Sequence, residues 1–125
     1  MTQKERRKHP RAKVVCPVIM ENNRNILSGE TQDISAGGAY IRCRSRPKHP
    51  EVDMHISVSL LSPRIRAVGE VVRSEALDSG KEGGHYGIGV RFLAVSHTDR
   101  EIISTKVAEQ LESEGINLRE EEAEK

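Results

Sequence analysis

The chain has little that could stack. Among its 125 residues there is no tryptophan, and the aromatics are Tyr40, Tyr86 and Phe92. The core must therefore be aliphatic, and a surface that reads single-stranded nucleic acid by base stacking is disfavoured. No apolar run approaches the roughly 18 to 20 residues that cross a bilayer. The first residues are charged, where a signal peptide needs an apolar segment. No membrane insertion is expected, and the cytoplasm is the default address. Cys16 and Cys43 are too far apart in sequence for a close-spaced metal pair, and His9, His49, His55, His85 and His97 are scattered without ligand spacing. No metal site is expected, and both cysteines read as reduced thiols in or near the core. There is no phosphate-cradling Walker loop and no nucleophile and base at a recognisable spacing. No catalytic residue can be named, so the chain is not expected to be an enzyme.

What is present suits one domain with a modest core: 35% of residues are hydrophobic and 31% charged. The net charge of +1 conceals a polarity along the chain. Lys4, Arg6, Arg7, Lys8, Arg11 and Lys13 crowd the start, and Glu109, Glu112, Glu114, Glu120, Glu121, Glu122 and Glu124 crowd the end. The acidic end reads as a solvated tail. The basic start reads as an arm, because it lacks apolar periodicity and Pro10 opposes a helix by fixing its own φ and biasing His9 toward extended geometry.

Strand patterns fill the middle. Val14 to Met20 is β-rich, with Pro17 suggesting an edge position or a bulge. Asn22-Asn23-Arg24-Asn25 is a turn, and Ile26 to Ile34 forms a second strand. Tyr40 to Arg44 alternates. Ser45 to Asp53, with Pro47 and Pro50, reads as a loop, after which Ile56, Val58 and Leu60 share an inward face. Ile65 to Ser74 is a long strand, Leu77 to Gly84 a polar loop, and Tyr86, Ile88, Val90 and Phe92 line one face of a final strand. Six short strands argue for an antiparallel barrel or sandwich. Ser96 with Asp99, or Thr98 with Glu101, could open a helix that packs Ile103, Val107 and Leu111 on the barrel and stops near Gly115.

One stretch stands out, Thr31-Gln-Asp-Ile-Ser-Ala-Gly-Gly-Ala-Tyr-Ile41. Asp33 and Ser35, two residues apart, share one side of an extended backbone, and Gly37 and Gly38 follow. Two readings are open from these residues. They form a hairpin corner in which Asp and Ser bond the local backbone, or a polar pocket at a strand end.

Arg7 and Arg11 form Arg-x-x-x-Arg, and Asp33, Ser35 and Gly38 form Asp-x-Ser-x-x-Gly further on. In this order the two motifs resemble the PilZ domain, the bacterial receptor for cyclic di-GMP, and the resemblance extends to about Phe92. It implies a mainly β fold, a six-stranded antiparallel β-barrel with a mobile N-terminal arm and a C-terminal α-helix. The chain would divide into the arm (1–11), the barrel with its helix (12–112) and a disordered acidic tail (113–125). The implied ligand is cyclic di-GMP, with no further cofactor. Arg7 and Arg11 would hold phosphate or guanine, Arg6 would assist, and Asp33 and Ser35 would hydrogen-bond the guanine. Gly38 would let the backbone approach without a β-carbon. Arg73 lies where some relatives carry a tryptophan near the ligand, and Arg91 reads as structural. The chemistry agrees: a guanidinium binds phosphate or the guanine O6 and N7 bidentately and stacks on purines, while a carboxylate accepts the guanine N1–H and amino donors. The implied output is an unidentified downstream protein. Two alternatives remain, a PilZ-like protein adaptor without nucleotide, and a small-barrel nucleic-acid binder whose arm tracks phosphates. The few aromatics and the acidic end disfavour the second.

Overall fold

The computed structural model describes residues 10–77 and 84–123, with side chains of the helix described to residue 115. Arg6, Arg7 and the rest of the expected arm before Pro10 lie outside the described residues, as do 78–83 of the loop expected after Leu77. The order of elements is β1 (Pro17–Asn22), β2 (Asn25–Ser35), β3 (Gly38–Cys43), β4 (Glu51–Ile56), β5 (Ile65–Ala76), β6 (Tyr86–Val95) and α1 (His97–Ala123). The strands close an antiparallel barrel in the order β1-β2-β3-β6-β5-β4, sealed by pairing of β1 with β4.

Alternation dictates what points inward. From Ala12 through Val14, Cys16, Val18 and Met20, every second side chain is buried, and Ile41, Cys43, Val52, Met54, Ile56, Ile65 and Ile88 complete an aliphatic interior. The sequence places the first strand at Val14, but β1 opens at Pro17. Residues before it follow β2 by other means. Ala12 bridges Ile34, and the buried Thr31 hydroxyl accepts from the Cys16 amide at 2.8 Å and donates to the Val14 carbonyl at 2.5 Å. Pro17 marks neither an edge nor a bulge. The barrel is closed, and the first position of a strand tolerates the missing donor.

The β1–β2 hairpin turns on Asn23 and Arg24, whose φ of 52° and 74° match the two left-handed positions of a type I′ turn. Just before it, the buried Asn22 amide binds the β3–β4 loop. Its nitrogen donates to the His49 and Glu51 carbonyls, and its oxygen accepts from the Lys48 and His49 amides, all at 2.9 to 3.0 Å. That anchoring lets β4 begin at Glu51, directly after Pro50, where the sequence suggests a loop. Val52, Met54 and Ile56 are its buried face and Val58 is buried just beyond its end, while Leu60, expected inside, is fully exposed.

Ser96 caps α1 by accepting the Asp99 amide at 3.1 Å, and the Asp99 carboxylate accepts the Arg66 amide at 3.2 Å, pinning the helix start to β5. Ile103 and Val107 then bury against the barrel, with Leu111 packed beside them. The helix does not stop at Gly115; it runs to Ala123. Gly115 has open space around its α-carbon and no left-handed φ, so it costs the helix about 1 kcal/mol without ending it.

Candidate functional site

A bulge in β2 orients the acidic residue of the motif. Pairing with β3 passes from Thr31↔Ile41 to Asp33↔Tyr40, leaving Gln32 as the extra residue. Thr31 faces the interior, so strict alternation would bury Asp33 as well. The bulge shifts the phase, so that Ile34 enters the core and Asp33 faces outward, half-buried.

The Ala12–Ile34 bridge, with both amide-to-carbonyl bonds at 3.0 Å, sets Arg11 beside that outward face. Its guanidinium Nη1 lies 3.6 Å from Asp33 Oδ1. This oxygen is buried and has no hydrogen-bond partner among the described residues, the ion pair being too long to count as one. Asp33 therefore keeps an acceptor aimed at Arg11. Ser35 is more occupied: its hydroxyl accepts the Gly37 amide at 3.1 Å and approaches the Gly38 carbonyl at 3.4 Å, which closes the turn at Ala36 and Gly37. Gly38 is already in β3, and a β-carbon there would run into the Val90 carbonyl of β6. The close approach it permits is thus between strands.

Arg11, the partner of Asp33, and the Ser35–Gly38 turn edge an open cleft of about 470 Å³ that runs over β3, β6 and β5. Arg11, Ser35 and Gly38 line it together with Tyr40, Arg73 and Arg91; Arg91 pairs with Gly38, and Gly89 with both Tyr40 and Arg73. Each arginine has a carboxylate neighbour: Asp33 for Arg11, Glu75 at 3.2 Å from Arg73 Nε, and Glu70 for Arg91. The Arg73 and Arg91 pairs are largely exposed and individually weak, so an anionic ligand can displace their carboxylates, while the Arg11 pair is only partly exposed. Arg73 also lies over the Tyr40 ring, 5.0 Å from its centre, and Tyr40 donates to Glu75 at 3.2 Å. Desolvation, with the Glu75 charge and hydrogen bond adding to it, pushes the Tyr40 phenol above its usual value, so it remains a protonated donor.

Of the residues singled out in the sequence, Arg11, Asp33, Ser35 and Gly38 come together here, and Arg73 lines the same cleft. Arg6 and Arg7 lie outside the described residues. Tyr40 was not singled out, although it shares the outward face of β3 with Gly38. Arg91, read as structural, lines the cleft as well. Among the described residues, no group of three or more His, Cys, Asp or Glu side chains could hold a metal ion.

Comparison with known proteins gives a consistent pattern. A family model described as PilZ domain matches residues 5–109. No curated protein matches the chain. Among solved structures, the PilZ domain of YcgR from Escherichia coli with c-di-GMP superposes with a TM-score of 0.67 at 13% identity, over 91% of this chain and 98% of that one. The inhibitor of motility MotI (DgrA) of Bacillus subtilis gives 0.70 at 15% identity, over 86% of this chain and 52% of that one. MrkH, a c-di-GMP-dependent transcription regulatory factor, gives 0.60 at 16% identity, over 84% and 51%. The chain thus spans about half the length of MotI and of MrkH, and at these identities the likeness is one of fold.

Proposed function

Because this chain belongs to the PilZ domain family, we propose that it is a receptor for cyclic di-GMP that binds the nucleotide in the cleft beside Arg11. The observation that carries this reading is the Arg11–Asp33 pair, a guanidinium at the cleft edge facing a buried carboxylate oxygen that lacks a hydrogen bond among the described residues. Guanine supplies the donors that oxygen needs, and phosphate suits the arginine. The c-di-GMP named for the YcgR and MrkH neighbours supports the same ligand.

In this reading Arg6, Arg7 and Arg11 hold phosphate and guanine, Asp33 and Ser35 bond a base, and Arg73 stacks beside Tyr40. Residues 1–11 act as an arm, 12–112 as the receptor body and 113–125 as an acidic extension. Ordering Arg7 to Arg11 costs on the order of 5 to 10 kcal/mol of backbone entropy. Charge-assisted hydrogen bonds return roughly 1.5 to 3 kcal/mol each, so several must form together with base stacking. The arm then folds over the barrel and presents a new face to a downstream protein. The chain acts by binding, catalyses nothing, and meets this cytoplasmic nucleotide in the cytoplasm.

Calorimetric titration with cyclic di-GMP tests the reading, with wild type beside the Arg7→Ala, Arg11→Ala double variant. Saturable binding that the variant loses is the expected result. A folded wild type that gives no heat would overturn it in favour of the nucleotide-free adaptor.

A further inference from the structure

The loop between β4 and β5 carries two consecutive leucines in open solvent. Leu60 and Leu61 stand at 104% and 97% of full exposure. The Ser59 hydroxyl accepts the Leu61 amide at 3.0 Å, which shapes the tip locally. The flanking sequence is one-sided in charge. From Met54 to Gly69 there is no aspartate or glutamate, while Arg64 and Arg66 are exposed. Pairing of the Ser57 amide with the Pro17 carbonyl roots the loop at the barrel end where residues 12–16 enter, among them the exposed Lys13 and Val15. The nearest helix start adds two acids: Asp99, which accepts the Arg66 backbone amide and keeps its charge there, and Glu101, which contacts His97 at 2.7 Å; neither lies on the loop that carries the leucines.

We infer that this loop is a membrane-surface anchor: Leu60 and Leu61 enter the acyl boundary of an anionic bilayer while Arg64 and Arg66 meet its headgroups. A lipid surface fits better than a protein groove because the apolar area is confined to the two fully exposed leucines of one turn. Ser59, Ser62 and Pro63 surround the leucines and leave no apolar rim of the size a stable protein interface buries. A deformable apolar phase needs only the tip and its flanking cations. No helix among the described residues is long and apolar enough to cross a membrane, so the contact is peripheral.

The test is co-sedimentation of the full chain, without nucleotide, with vesicles of phosphatidylcholine alone or mixed with phosphatidylglycerol, at low salt. Wild type should partition onto the anionic vesicles. Leu60→Ser, Leu61→Ser should lower the partition coefficient tenfold or more, and Arg64→Gln, Arg66→Gln should reduce it by about fivefold per arginine on anionic vesicles alone. All four side chains are exposed, and unchanged circular dichroism would show that the variants fold. Absent binding by wild type, or equal binding by the leucine variant, would overturn the inference. So would a concentration-dependent dimer that the leucine variant abolishes, which would assign the tip to a second copy. Neither result bears on nucleotide binding, which is measured separately.

Discussion

The phenol of Tyr40 stands where a side chain at residue 87 would have to be. A β-carbon on Gly87 would collide with the Tyr40 hydroxyl and ring carbons, so the ring crosses β6 and holds Arg73 and Glu75 at the cleft. Gly87→Ala should therefore displace the partly exposed Tyr40 ring from β6 and cost about 1 to 2 kcal/mol through its lost contacts with Arg73 and Glu75. In a Tyr40→Ala background the same change should cost less than about 1 kcal/mol, because the obstacle is gone. Urea midpoints for the four proteins of this cycle would show the coupling, and additive losses would refute it.

Arg11 separates stability from binding. Its pair with Asp33 is long and partly exposed, so Arg11→Lys should change stability by no more than about 1 kcal/mol. Lysine keeps the charge but lacks the planar fork, so affinity for cyclic di-GMP should fall roughly tenfold or more. Thermal melting and calorimetry on the same preparation would check both halves. Undiminished affinity would remove Arg11 from the site.

Thr31 joins the entering segment to β2. Thr31→Val keeps the approximate shape but orphans the Cys16 amide and the Val14 carbonyl in a buried setting. A loss of about 2 to 6 kcal/mol is expected, at roughly 1 to 3 kcal/mol per group. Thr31→Ser, which retains the hydroxyl, should recover most of it. Hydrogen exchange at the Cys16 amide should accelerate in the valine variant alone.

Burial pushes both thiols above the ordinary value of 9.0, and the smaller opposing influences, the Thr31 side chain and Lys106 charge at Cys16 and a backbone hydrogen bond with Ser45 at Cys43, do not cancel it. A raised folded-state value means the native protein binds more protons than the unfolded chain once pH passes 9.0. Stability should be unaffected by these groups below that pH and should fall as pH rises above it. At pH 8 both cysteines should react with a thiol reagent slowly until denaturant is added. Fast native labelling would contradict this.

Much of the architecture was legible because it rests on local rules. Alternating apolar residues gave six strands, Asn22 to Asn25 gave a hairpin turn, and Ser96 with Asp99 gave the helix start. The failures have physical causes. Ser45 to Asp53 reads as one loop, but four hydrogen bonds to and from the Asn22 amide fix the segment from 48 to 51, and 51–53 are already strand β4. Leu60 continued an inward pattern on paper, although the strand ends at Ile56. Gly115 resembled a helix stop, yet its surroundings demand no left-handed turn.

At the site, sequence by itself determined which chemical groups exist and in what order: arginines first, then a carboxylate, a hydroxyl and two glycines. Period-two alternation also determined that Asp33 and Ser35 share a side, since that depends on the residues between them. Tertiary structure decided which side. The bulge at Gln32 appears when β2 is registered against β3, and it turns Asp33 away from the core toward Arg11. Tertiary structure likewise brought Tyr40, Arg73 and Arg91 into one cleft, and made Gly38 a point of contact with the Val90 carbonyl. These relations join residues tens of positions apart, and strand pairing, which no local pattern encodes, is what sets them.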